Sequence, residues 1–385
     1  MRSDWITVRA ADVINFNPTL QLSKGTIAKK IPMEKLLPFT KKVGGFINEE
    51  YSGGAKFCNN DTIMARITPC LENGKTAFVD ILSDREIGFG STEYIVLRAK
   101  PGLTDPQYVY YLATSPVFRQ VAIKSMVGSS GRQRVQQTVL EELTIDLPPL
   151  KEQQNIGRYL SMLDDRIGLN NHINDNLLHQ TTAIFNNHYD SAEGQCPFTS
   201  LIHVLGGGTP KTGNPEFWNG DIPFFTPKDV GSPYTFQTEK TITPTGLEHC
   251  NSRLYPRNTS FVTARGTVGK VSLAGKPMAM NQSCYALASD SIDPILVYFY
   301  TLRAVDLLKH KASGAVFDAI VTRDFETEVV SVIPETESKA ILSLIAPMME
   351  AIHTNTEENI RLAALRDALL PRLMSGEIDV SSITL

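Results

Sequence analysis

Apolar side chains step by four and three from Ile156 through Leu160, Leu163 and Ile167, pass over Asn170 and Asn174, and continue at Leu177, Thr181 and Ile184. That is a heptad seam, the spacing at which one helix face meets another helix. A second series runs Ile341, Ile345, Met348, Ile352, Asn355, Asn359, Leu362, Arg366 and Leu369. The two superimpose without a gap at an offset of 185 residues, which also brings Pro149 onto Pro334 and Glu152 onto Glu337. One inserted residue would turn everything beyond it by about 100°. The constant offset therefore marks a duplicated helix whose register matters, and the two copies are expected to pair. Run antiparallel about an axis near Asn170, they set the asparagines of one copy opposite those of the other, where a polar layer weakens the seam and fixes its alignment. Such a pair would place the two remaining segments at opposite ends.

Pro347 interrupts the second series. A proline inside a helix costs about 3 kcal/mol, so this helix is expected to begin near Ala346, with Ile341 and Ile345 only partly helical.

The segments outside the helices also resemble each other. DTIMARITPCLENGKTAFVD, GSTEYIVLRA and DPQYVYYLATSPVF are followed later by NTSFVTARGTVGKVSLAG, NQSCYALAS and DPILVYFYTLRAV. Each set reads as strand, glycine turn, strand, strand, and a helix opened by Asp-Pro at Asp105 or Asp293. Arg66 matches Arg265 after an alanine, and Gly74-Lys75 matches Gly269-Lys270. The fold class is α+β, with two mixed, turn-rich domains.

Length fits: 385 residues suit two domains of about 150 residues plus connecting helices. No apolar run reaches the roughly 18 residues that span a bilayer, and MRSDWITVRAADV lacks a signal-peptide pattern. Five scattered cysteines in no metal or redox spacing suit a reduced, cytoplasmic setting. Net charge is +3 over 1–150, −2 over 151–190, −1 over 191–334 and −4 over 335–385. No segment has the basic excess of a protein that holds nucleic acid by charge alone, so any DNA binding would rest on local patches or on a basic partner.

LPPLKEQQNIGRYLSMLDDRIGLNNHINDNL after the first segment, GGGTPKTGNPEFWNGDIPFF opening the second, and ENIRLAALRDALLPRLMSGEIDV near the C-terminus carry a more specific signal, together with ARITPCLENGKTA and GSSGRQRV. Over essentially the whole chain they resemble the specificity (S) subunit of type I restriction-modification enzymes. The resemblance implies two similar target recognition domains, 1–150 and 191–340. These would be joined by spacer helices, 151–190 and 341–385 with a C-terminal tail, forming an antiparallel coiled coil with pseudo-two-fold symmetry. It implies a non-catalytic subunit that reads a bipartite, asymmetric double-stranded DNA target and docks two methylation (M) subunits. Those partners bind S-adenosylmethionine and methylate adenine, and restriction (R) subunits can join; no cofactor or metal is expected in this chain. The first domain lacks a close copy of the GGGTP opening, so the halves are not expected to match there.

The chain carries no catalytic signature of its own. An adenine methyltransferase needs a glycine-rich cofactor turn and an Asn-Pro-Pro-aromatic tetrapeptide, and the Pro148-Pro149 pair stands instead between leucines at a helix entrance. GGGTPKTG lacks the Gly-Lys-Ser/Thr ending of a phosphate loop, and the seven histidines form no zinc motif. Reading DNA calls for arginine and lysine on guanine edges and phosphates, and for asparagine and glutamine on adenine. In the first domain Arg132, Gln133 and Arg134, after a glycine-serine turn, fit best, with Lys24, Lys29, Lys30, Lys41, Lys42, Arg66 and Lys75 as further contacts. The second offers Lys211, Thr212, Lys228, Arg265 and Lys270. A lysine run is more often a solvated face, and Trp218 reads as a plug beneath its loop. The competing function is a coiled-coil scaffold whose globular ends bind protein or carbohydrate.

Overall fold

The computed structural model describes residues 4–231, 233–311 and 319–380. The end of the expected C-terminal tail, 381–385, lies outside them. The chain divides into two compact units, Met1–Leu169 with Asn359–Leu385, and Asn170–Glu358.

The first unit contains β1 (Ile6–Arg9), α1 (Ala10–Val13), β2 (Ile14–Phe16), β3 (Ile27–Ile31), β4 (Ile47–Glu50), β5 (Lys56–Phe57), β6 (Thr62–Ala65), β7 (Thr76–Phe78), β8 (Gly88–Gly90), β9 (Tyr94–Ala99), α2 (Pro106–Thr114), α3 (Pro116–Lys124), α4 (Gln137–Glu141) and β10 (Thr144–Leu147). Among the described residues β2-β9-β6-β7 form one sheet, β4-β3-β8-β5 a second, and β1 pairs with β10. Asp105 caps α2 by accepting from the Gln107 and Tyr108 amides at 2.9 and 3.0 Å, and Pro106 takes the position where no amide is needed. Tyr108, Val109, Tyr111, Phe118, Met64 and Ile95 form the core, joined by Ile156 and Leu160 of the long helix α5 (Leu150–Ser191).

The second unit repeats this order with β11 (Gly194–Pro197), β12 (His203–Gly206), β13 (Trp218–Phe225), β14 (Tyr234–Thr235), β15 (Thr241–Ile242), α6 (Pro244–Glu248), β16 (Ser260–Thr263), β17 (Val271–Ala274), β18 (Ala279–Met280), β19 (Cys284–Ala288), α7 (Pro294–Lys311), α8 (Thr322–Thr327), β20 (Val329–Val332) and α9 (Glu335–Met374). The sheet β12-β19-β16-β17-β14 corresponds to β2-β9-β6-β7, and β11-β20 to β1-β10. Asp293 caps α7 as Asp105 caps α2, accepting from the Ile295 amide at 2.8 Å.

Within each unit α5 and α9 run antiparallel. In the second unit Asn355 donates to Asn174 at 2.9 Å, Thr181 meets Met349 at 4.0 Å, and His188 meets Glu337 at 3.2 Å. In the first unit Arg366 donates to Asp164 at 2.6 Å and Asn155 to the Val380 carbonyl at 2.9 Å. The asparagine layer thus forms at Asn174 and Asn355, while Asn170, buried, donates to Glu358 at 2.7 Å. Ile352 is buried, whereas Leu163, Ile167, Asn174, Leu177, Met348, Asn355, Asn359 and Leu362 are half-buried.

The expected late start of the second helix is overturned. α9 begins at Glu335 and Pro347 stands inside it, on an exposed face. Ile341, Ile345, Met349 and Ile352 are all fully buried. Each such burial contributes roughly 1.5–3 kcal/mol, which together outweighs the one weakened turn.

One layer differs between the repeats. Asp164, Arg366 and Tyr111 form a buried charged cluster, with the Tyr111 hydroxyl donating to Asp164 at 2.6 Å. The equivalent positions in the second unit hold Met349, Thr181 and Phe299.

Candidate nucleic-acid interface

Arg66 leaves β6 toward a loop that returns from α3. Its backbone amide donates to the Glu93 carbonyl at 2.9 Å, and its own carbonyl accepts from the Val135 amide at 2.8 Å. Its side chain donates through Nη2 to the Val135 carbonyl at 3.2 Å. Arg134, on that returning segment, grips Glu93 through two nitrogens at 2.6 to 3.0 Å. The Arg134 guanidinium holds the Glu93 carboxyl below the usual range, and Glu93 in turn raises the arginine. Arg132 is exposed and Gln133 half-buried on the same loop. The structure thus brings Arg66, Arg132, Gln133 and Arg134 together.

Beside Arg66 opens a cleft of about 430 Å³, lined in part by Asn17, Thr19, Lys56, Thr92 and Tyr94. Asn17 is fixed in it, accepting from the Val96 amide at 2.8 Å and donating to Gln137 at 2.6 Å. Sequence reasoning missed Lys56 and Thr92, because they stand far from Arg66 in the chain and no motif marks them.

Most of the lysines expected on the DNA side are engaged elsewhere. Lys41 is 5 % exposed, donates to Ser161 at 2.8 Å, and lies 5.4 to 5.9 Å from the rings of Phe78, Tyr110 and Tyr111. Burial pulls its ammonium pKa down, and a duplex cannot reach it. Lys29 pairs with Glu86 at 2.9 Å, Lys30 with Glu49 at 2.6 Å, and Lys75 donates to the Met33 carbonyl at 2.9 Å. Alternating β-strand side chains and a hairpin turn thus give each of these three half-buried cations an acceptor within its own unit. Lys42, half-exposed, lies 3.8 Å from Asp165, and Lys24 is exposed.

In the second unit Lys211 and Thr212 are exposed on the glycine-rich loop. Trp218 ties that loop down, donating to the Lys211 carbonyl at 3.3 Å and packing edge-on against Phe224. Lys228 is exposed 3.5 Å from Glu239, and Arg265 and Lys270 are exposed. Gly74 and Gly269 match structurally: each turns its hairpin at φ near +70°, which favours glycine. The match of Arg66 with Arg265, however, is one residue off. Ladder register aligns Ala65–Tyr94 with Thr263–Cys284, and the amide bond from Arg66 to Glu93 recurs from Ala264 to Ser283. Arg265 therefore corresponds to Ile67, and Ala319 to Arg134: an isolated bridge joins Ile67 to Arg134 in the first unit and Arg265 to Ala319 in the second.

Among the described residues no group of three or more His, Cys, Asp or Glu is placed to hold a metal ion, and no helix is long and apolar enough to cross a membrane.

The family described as type I restriction modification DNA specificity domain matches this chain twice, over residues 2–179 and 198–363. The chain belongs to that family. It is a DNA sequence-recognition subunit of a type I restriction-modification system, and the scaffold alternative falls away. The chain is 23% identical to the type I restriction enzyme HindI specificity subunit of Haemophilus influenzae, over 83% of this chain and 86% of the relative. A shorter stretch, 32% of this chain and 34% of the relative, is 34% identical to the EcoR124I/EcoR124II specificity subunit of Escherichia coli. The fold is similar to the type I S subunit from M. genitalium, with TM-score 0.61, 13% identity and 96% of each chain covered.

The placements separate two lysine and arginine roles by experiment. Lys41→Ala should lower the melting temperature and leave the salt dependence of DNA binding unchanged. Arg132→Ala should leave the melting temperature unchanged and weaken DNA binding, by about 1–3 kcal/mol at one base if it reads an edge. A Lys41→Ala protein of normal stability with a flattened salt dependence would contradict the assignment.

Proposed function

We propose that each unit reads one half of a bipartite, asymmetric double-stranded DNA target, and that the chain docks two methylation subunits. The chain itself is non-catalytic. S-adenosylmethionine is bound by the methylation subunits, which act on adenine, and restriction subunits join the same complex. The work is done in the cytoplasm, where the five cysteines stay reduced.

The observation that carries this reading is a shared scaffold with different side chains at matching positions. Arg66, Glu93 and Arg134 of the first unit stand where Ala264, Ser283 and Ala319 stand in the second. Two heads of one architecture with unlike chemistry suit two unlike half-sites, since base edges are distinguished by the groups presented to them. The pairing helices, which belong partly to each unit, suit the role of spacer.

A gel shift with a random duplex pool, with and without the methylation subunit, tests the reading. The expected result is a shifted band that strengthens with the methylation subunit and fades with salt. No shift in either arm at low salt would sink it.

A further inference from the structure

We propose that the cleft beside Arg66 seats a backbone phosphate of the duplex, an anion site whose arginine has no counterpart at the matching position of the second unit. The inference rests on the DNA-recognition reading and assigns a ligand to one place in it.

The cleft wall is built from backbone. Gly54 has φ +109°, and a Cβ there would lie 1.9 Å from the Gly90 carbonyl oxygen. No side chain can therefore stand at that point of the wall. A neighbouring recess of about 470 Å³ shares Gly54 and Thr92 with the cleft. The lining of the cleft beside Arg66 carries two cations, Lys56 and Arg66, and no acid. Glu93 accepts from the Arg66 amide through its backbone carbonyl, and both its carboxylate oxygens are held by Arg134. Arg66, Glu93 and Arg134 thus sum to one positive charge, and Lys56 adds a second. Arg66 also has unused donor capacity: among the described residues its guanidinium donates to the Val135 carbonyl alone, through Nη2. An anion in the cleft supplies a further acceptor to the same guanidinium.

A phosphate suits this shape better than a base. Phosphates stand out along the ridge of a duplex and can enter a concavity, whereas base edges lie on the groove floor and are met by protruding side chains. Arg132 is exposed and suits the second task; Arg66 is recessed and suits the first. In the second unit Ala264 takes the place of Arg66 and Ala319 that of Arg134, so the cation pair is missing there.

The test is equilibrium binding of the full chain with its methylation subunit to duplex DNA over a salt series. Arg66→Ala and Lys56→Ala should each flatten the slope of log affinity against log salt by about 0.9. Both should weaken all sequences equally, and Arg66→Lys should restore most of the slope, because a point charge still serves a phosphate but not a bidentate base contact. Because Arg66 also holds the Val135 carbonyl, Lys56→Ala decides if Arg66→Ala unfolds. An unchanged slope in Lys56→Ala, with the wild type binding normally, overturns the phosphate site and leaves DNA recognition standing. So does a change of base preference at one position with the slope intact. A wild type that binds no duplex overturns the recognition reading and this site with it.

Discussion

Asp164→Ala should lower stability by about 3 kcal/mol or more, the largest effect expected from a single change in the helices. Asp164 and Arg366 have side-chain exposures of 5% and 12% and meet at 2.6 Å. Truncating the acid leaves the guanidinium buried beside only Asp367, at 2.8 Å and mostly in solvent. It also strands the Tyr111 hydroxyl, whose pKa burial and the Asp164 carboxylate push up. The second unit shows the alternative solution. Copying its layer through Asp164→Met, Arg366→Thr and Tyr111→Phe together removes both charges, and should return stability to within about 1 kcal/mol of the wild type or above it. Urea unfolding of the full chain measures both. An Asp164→Ala protein as stable as the wild type would show that the cluster is wetter and weaker than its geometry implies.

The sequence made the repeat legible because helix pairing has a strict period. Ile156, Leu160, Ile352 and the Asn174–Asn355 layer follow from spacing alone, and the Asp-Pro signals at Asp105 and Asp293 marked true helix starts. Pro347 misleads because local propensity carries no trace of the burial of Ile345 and Met349 around it. The site was less legible. Whether a lysine is covered depends on partners far away in the chain, so Lys41, buried against Ser161, looked like a surface cation. The Arg66–Arg265 match failed by one residue because an alanine-arginine pair recurs in both strands, while the true register is set by backbone bonds. Lys56 joins Arg66 only through the fold.

The spacer role predicts the largest change in recognition. Thr181–Met349 and Asn174–Asn355 bracket the point where Leu177 faces Ile352. Seven residues inserted after each of those two positions keep the heptad register and add about 10 Å of paired helix. At about 3.4 Å per base step, the undefined gap between half-sites should grow by about three base pairs. Insertion in one helix alone would mismatch the seam and should destabilise the protein instead. The chemistry of the two reading heads is untouched by either change. The most direct test of the whole account is therefore adenine-methylation sequencing of cells carrying the wild-type chain or the doubly extended one. The account predicts one bipartite motif in each, with each half-site unchanged between wild type and variant and the gap longer by about three base pairs in the variant. Altered half-site sequences across an unaltered gap would contradict it.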